Sequence, residues 1–472
     1  MKLKITLLAL AAALFSTSSF ASHLMGGQIT AKQISGLQYQ VTLVAYRDTM
    51  GIPMYATATF NYSNTDTSST WAANSTRSHG GSSTFINGVE EYTYIDTVTF
   101  PAAGTYMVQW DECCRNAAIV NMTNPGSESF YLNTLITVDG ASSNSSPVFL
   151  NAPVTLAQLN NLFSYNPLPF DADGDSLAWS LVTPLSTSGM SGSTPVAGYV
   201  LPSGAAAQPF SLNALTGEIT WIPDMMGNFA SSFLVEEYRG GVKIGEIRRD
   251  MQILVINDTT NGARAAINTG GWPTNTSGNF SFSLPATSAF NLTVVATDGN
   301  NDLLTMSANG APFALTTNPA YFSTASGLGI ASCDISWTPN ASQINNNSYN
   351  IAFRISEKHG VYTYVSDKTI QFQVITPLAV KEISKGNVVN EIYPNPSNGS
   401  FYLPFNLETA AQVKVEIMNA NGQQVSVLAN KMMNAGQNVI LSADNNLSKG
   451  VYSVAVWVDG KKLSTKKLVI TE

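Results

Sequence analysis

Histidine, cysteine and charge are all scarce in this chain, and each scarcity removes a class of function. Three histidines occur among 472 residues. They are His23, His79 and His359, far apart and in different predicted modules, so no imidazole pair stands at metal-ligand or general-base spacing. The H-E-x-x-H, G-x-S-x-G and P-loop patterns are absent. Charged residues make up 11% of the chain and the formal net charge is −8. Without clustered Lys and Arg to meet phosphates, nucleic acid is excluded as a partner. Beyond residue 21 no apolar run reaches the ~20 residues of a membrane-crossing helix, so no transmembrane span is expected.

Three cysteines, Cys113, Cys114 and Cys333, are an odd number that leaves at least one thiol unpaired or intermolecular. A bond between sequence neighbours is geometrically strained, and one from either neighbour to Cys333 would join two predicted modules. No signature of a thiol enzyme surrounds them. Carboxylate pairs occur at Glu90-Glu91, Asp111-Glu112 and Glu236-Glu237. Adjacent strand residues point to opposite faces, so no single pair can flank a glycosidic bond. The expectation is a protein that is not an enzyme, with a secreted hydrolase the remotest alternative.

What the chain has in quantity is Ser, Thr, Asn, Gly and aromatics, the last at 10%. That composition suits β-sandwiches with weakly charged faces, and the fold class expected is all-β, built from tandem Ig-like or cadherin-like sandwiches plus a small C-terminal one. Residues 1–21 have the three parts of a secretory signal: Lys2 and Lys4, the apolar Ile5 to Phe15, and the small-x-small site Ser19-Phe20-Ala21, predicting a mature chain from Ser22. The modules expected after it are 22–142, 143–258, 259–377, a linker at 378–386 and a last unit at 387–472. In the first, GLQYQVTLVAYRD alternates with period two, whereas the Ser/Thr/Asn/Gly-rich stretch from Asn61 to Gly88, with Trp71 and His79, reads as an exposed loop system.

The second and third modules repeat one frame. ITWIPD at Ile219 answers ISWTPN at Ile335, VEEYRGGV at Val235 answers ISEKHGV at Ile355, and MQILVI at Met251 answers IQFQVI at Ile370, at spacings of 116 to 120 residues. Trp221 and Trp337 hold matching positions and are expected in the inter-sheet core. The DADGDSL turn places Asp171, Asp173 and Asp175 at alternate positions, a pattern that can converge oxygen ligands on calcium. An EF-hand is excluded because Val182 stands where its bidentate Glu would be. Asp298, Asn300 and Asp302 form a weaker second candidate. Glu236 and Glu237 are available to complete either shell, but the sequence does not place them. A solvated Asx turn is the blander alternative at both sites.

The tail opens YPNPSNG, where Pro394 and Pro396 fix φ, and carries hairpin signals at Asn421-Gly422 and Asp459-Gly460. With its F-x-L strand, IMNANGQ, GVYSVAV and DGKKLSTKKL, it resembles the type A C-terminal sorting domain of the type IX secretion system. The resemblance implies a secreted or outer-surface protein that engages the type IX secretion machinery. FDADGDSLAWSL and TGEITWIPD are similar to bacterial Ig-like and cadherin-like surface sandwiches. SHLMGGQITAKQ with YQVTLVAYRD and DECCRNAAIVNMTNPGS resembles the N-terminal module of surface proteins of gliding bacteria. Thr49 follows the YRD here where that family commonly has Cys, which puts in doubt a disulfide from that strand end. Arg115 and Asn116 read as a hydrogen-bonded corner rather than a ligand contact. The expected task is adhesion or scaffolding on an unknown surface or matrix ligand, protein or glycan. A carbohydrate-binding accessory protein is the alternative, with Trp71, Trp272 and Tyr321 as its candidate platforms.

Overall fold

The computed structural model describes residues 24–83, 86, 88–188, 192–345, 347–377, 386–442 and 447–471. The expected signal sequence, residues 1–21, and nearly all of the expected 378–386 linker lie outside them. Period-two alternation becomes a half-buried strand at Gln38–Asp48, where Tyr39, Val41, Leu43 and Ala45 are fully buried. It pairs antiparallel with Leu24–Ser35 on one side and Val89–Thr99 on the other. Phe60, Tyr62, Phe100, Tyr106 and Trp110 fill the core beneath.

The stretch expected as loops from Asn61 to Gly88 is largely a strand pair, Thr57–Asn64 with Thr70–Ser83. Its residues are polar because much of its surface faces solvent, so no apolar alternation marks it. Thr supplies strand propensity, and the Trp71 ring stacks on Tyr62 at 5.2 Å to anchor it.

The first two modules share a sheet. Val242–Ile256 is a fifteen-residue strand of the second module that pairs along its length with Gly227–Arg239. Its middle also bonds the first module, through Gly245–Ile247 against Ser129–Val138 and through Asp250 against Gly27. The ladder of the first module thereby closes on itself through a strand that follows it by about a hundred residues in sequence, within a thirteen-stranded sheet. Closure removes two edges that would otherwise be open to other chains. Arg115 is buried at this seam: its guanidinium lies over Phe130 and donates to Asp250 Oδ2 at 2.6 Å and to the Leu185 carbonyl. Asn116 is buried too, its Oδ1 accepting the Ala118 amide. Both hold a corner.

The second module packs Phe163, Phe210, Phe229 and Phe233 around or beside a fully buried Trp221. The third is a sandwich of a four-stranded and a five-stranded sheet over Phe282, Leu292, Trp337, Phe353 and Phe372. In both, the core tryptophan donates its indole N–H to a carbonyl eighteen or nineteen residues earlier, Trp221 to Ser203 and Trp337 to Asn318. The two modules are joined by a polar seam. Glu218 accepts from Lys368 Nζ at 2.6 Å and from the Thr369 amide at 2.7 Å, while the Asn166 amide donates to Asp367 Oδ2 at 2.7 Å. Buried charges that are all hydrogen-bonded fix relative placement more than they add stability. The tail is a second, smaller sandwich whose Asp459-Gly460 turn has positive φ at both residues. Its Tyr402 is buried in the core of the third module.

Cys113 and Cys114 stand with their sulfurs against each other in the first module. Cys333 is a buried free thiol in the third module, beyond reach of both. Burial pushes its pKa up to about 12, so it behaves as a small core hydrophobe.

Candidate functional site

Two carboxylate clusters occupy matching places in the second and third modules. In the second, the DADGDSL turn is held by Asp171: its Oδ1 accepts the amides of Asp173 and Asp175 at 2.9 and 3.0 Å. Its other oxygen is buried without a partner. Glu237 enters from the strand Gly227–Arg239, opposite Leu177 and Gly245. Oxygens of Asp171, Asp175 and Glu237 lie within 4.8 Å of one another. Glu237 is 0% exposed and neither of its carboxylate oxygens has a partner. A Cβ on Gly245 would stand 2.6 Å from Glu237 Oε2, so glycine there makes room for the carboxylate.

The electrostatics are unfavourable as the side chains stand. Burial pushes the Asp171 carboxyl up to about 6, with the Asp175 and Asp173 charges adding to it. Glu237 is pushed well above the ordinary carboxylate range by burial, then by Asp171 and Asp175. Among the described residues the cation in contact is Arg239, which meets both oxygens of Asp175 from the outer side.

Asp173 is not part of the group. It is exposed and is taken by the inter-module segment, accepting from Ser143 Oγ at 2.8 Å and the Ser145 amide at 2.6 Å. Arg239 also donates to the Ser143 carbonyl at 2.8 Å and to Asn144 Oδ1. The cluster therefore sits where the first module passes into the second.

In the third module Asp298, Asp302 and Glu357 converge in the same way. Asp298 Oδ2 accepts the Asp302 amide at 2.7 Å and its other oxygen is buried without a partner. Here Glu357 is satisfied. Arg264 donates to its Oε2 at 2.8 Å, the Ala265 amide does so at 2.8 Å, and Asn261 bonds its Oε1. The Arg264 guanidinium lies 4.1 Å from the ring centre of Tyr364, the residue paired with Glu357 where Glu237 faces Gly245. Asp302 is met by His359 Nδ1 at 2.8 Å. Asn300 points to the inter-module segment instead, donating to Asn261 Oδ1 at 2.6 Å and the Ala263 carbonyl.

Of the residues singled out from sequence, Asp171 with Asp175 and Asp298 with Asp302 are brought together, while Asp173 and Asn300 are turned away. Glu357, Arg264 and the choice of Glu237 over Glu236 were missed. One signal for them existed: Glu237 and Glu357 hold the third place of the aligned VEEY and ISEK segments. Glu236 points to the other face and pairs with Lys243.

The candidate sugar platforms change as well. Trp272 is buried against Phe280 and Phe353, and Trp71 is half-buried on Tyr62. Only Tyr321 of the three stands exposed. His79 is exposed and bonds Ser82; His23 lies outside the described residues. Among the described residues the two converging groups are made of carboxylates alone, with His359 bonding Asp302 of the second group from its outer side, and no helix is long and apolar enough to cross a membrane.

Residues 391–471 match a family model described as a secretion system C-terminal sorting domain. The chain carries a type IX secretion sorting domain and is exported to the cell surface or secreted. No curated protein matches it. Similar solved structures include Dpr2 Ig1-Ig2 in complex with DIP-Theta (10% identity, 72% of this chain and 95% of that one, TM-score 0.16). A Dscam structure covers 94% of this chain and 97% of its own at 10% identity and TM-score 0.17. Domains 1–6 of the surface layer protein SbsC cover 93% and 65% at 12% identity and TM-score 0.19. Scores this low carry no argument, and the sandwich assignment rests on the sheets described above.

Proposed function

We propose that the protein acts outside the cell as a non-enzymatic adhesion or scaffolding element, three interlocked sandwiches holding loops toward a surface or matrix ligand. The observation that carries this reading is the sorting domain at 391–471, joined to modules whose seams are hydrogen-bonded rather than freely hinged. A rigid β array gives reach and resists proteolysis, and recognition then falls to its loops. The acid cluster of the second module does not argue for hydrolysis. A catalytic carboxylate must touch substrate, and Glu237 is wholly enclosed.

Two measurements test the proposal. Cells whose chain lacks residues 387–472 are expected to retain the protein inside and to attach to surfaces or matrix as poorly as cells lacking it altogether. Normal attachment by either strain removes the adhesion reading. Turnover of peptide or glycan substrates by the purified exported chain removes the non-enzymatic one. Glycan-array binding that disappears on Tyr321→Ala promotes the carbohydrate-binding alternative.

A further inference from the structure

The first module is joined to the second at a point where buried carboxyl groups are left without a countercharge. Glu237 offers two carboxylate oxygens and Asp171 one, all buried and unpartnered, and Asp175 contributes a side chain that is only 5% exposed. With all three carboxylates ionised against one guanidinium, the group would carry a formal charge of −2 in a space their oxygens share within 4.8 Å. A buried carboxylate without a countercharge is strongly unfavourable, and it is neutralised either by a proton, as the raised Glu237 and Asp171 carboxyls show for the side chains alone, or by a cation that displaces that proton. We propose that Asp171, Asp175 and Glu237 form a calcium site that clamps the junction of the first and second modules, and that Arg264 takes the place of the ion in the third.

The chemistry of the donors selects the ion. All are oxygens, with no histidine or thiolate to favour zinc or copper. Calcium takes six to eight oxygens in irregular geometry, which three carboxylates of mixed denticity can begin, with carbonyls or water completing the shell. Magnesium demands a tighter octahedron and sheds water reluctantly. Asp175 can serve the ion and Arg239 together, since an ionised carboxylate has about four acceptor positions. Through Arg239 the shell reaches Ser143 and Asn144, and through the turn it reaches Asp173, which holds Ser143 and Ser145. A cation at this point ties both strands of the crossing together. The third module supplies the internal control. Its Arg264 and Asn261 come from the corresponding inter-module segment and meet Glu357 directly, so the same architecture there is closed by a side chain.

The test uses the full chain, stripped with EDTA and then titrated. Calorimetry with calcium chloride is expected to show one ion per chain, and thermal melting a rise of roughly 5 °C at saturating calcium, with magnesium at equal concentration giving little. Glu237→Gln removes the ionisable oxygen ligand while keeping the shape. It is expected to abolish the calcium-dependent rise and to melt no lower than the EDTA-treated parent, an outcome a purely structural carboxylate would not give. Asp224→Asn, at an exposed turn beyond the opposite end of the Gly227–Arg239 strand, is expected to leave binding unchanged. Absence of both heat and a melting shift overturns the site, as does calcium binding that survives Glu237→Gln. Two ions per chain overturns the role given to Arg264.

Discussion

The second and third modules answer one electrostatic problem in two ways. Each brings an Asp-held turn and a glutamate from the following hairpin to the segment that enters the module. In the third, Arg264 lies over Tyr364 and donates to Glu357, which makes three hydrogen bonds and is 1% exposed, while Asp298 keeps one buried oxygen without a partner. In the second, the residue facing the glutamate is Gly245 and no cation comes from the inter-module segment. A buried acid is stable with a built-in countercharge or with a borrowed one, and the difference decides whether the junction responds to the medium. Compensation by arginine is permanent, whereas compensation by an ion depends on its concentration.

The largest effect is expected from making the third module resemble the second. Arg264→Ala strips Glu357 of its partner and should destabilise the chain by about 3–5 kcal/mol, the usual consequence of orphaning one member of a buried pair. If the two clusters are equivalent, millimolar calcium should restore part of that loss. Melting curves of the variant with calcium and with EDTA measure both quantities, and a calcium-insensitive variant breaks the equivalence.

The reverse change is smaller. Gly245→Ala places a methyl 2.6 Å from Glu237 Oε2 and 3.2 Å from the Leu135 carbonyl. Overpacking of this kind should cost about 1–2 kcal/mol and displace the carboxylate. Calcium affinity, read by calorimetry, should fall about tenfold, equivalent to ~1.4 kcal/mol. Unchanged affinity would show that Glu237 does not reach the ion.

These positions were unequally legible in the sequence. The tail was plain because its turns require Asn-Gly and Asp-Gly, and Gln38–Asp48 because alternation has no other meaning at that length. Asp171 and Asp175 stood out because residues on alternate sides of a tight turn converge. The same pattern misplaced Asp173, since the hydroxyl of Ser143 and the amide of Ser145 compete for it, and both lie about thirty residues upstream. The strand Thr70–Ser83 was hidden by its polarity. Hardest to foresee was the double pairing of Val242–Ile256, because its doubly paired middle, Gly245 to Asp250, is mostly charged and carries no apolar run to mark two covered sides. Glu237 needed the repeat alignment and the strand face together: the alignment matches it to Glu357, and the pleat turns Glu236 away.

The smallest expected effect lies where the two junctions differ on their outer side. Asp175 is held by Arg239, which carries its charge at every accessible pH, whereas Asp302 is held by His359. The Asp302 hydrogen bond raises the His359 pKa above 6.5, with the Asp302, Asp258 and Glu357 charges acting in the same direction against burial. A raised folded-state pKa means that protonation favours the folded chain. The contribution is complete below about pH 6.5 and disappears as pH rises through the higher folded value. Solvent reaches the pair, so its size should be only about 0.5 kcal/mol. His359→Gln should therefore lower the melting temperature slightly at pH 6 and leave it unchanged at pH 9. His359→Arg, which copies the second module, should remove the difference between the two pH values at this position. Equal losses from His359→Gln at both pH values would mean that the imidazole acts through packing, and that the outer pairs of the two modules are not electrostatic counterparts.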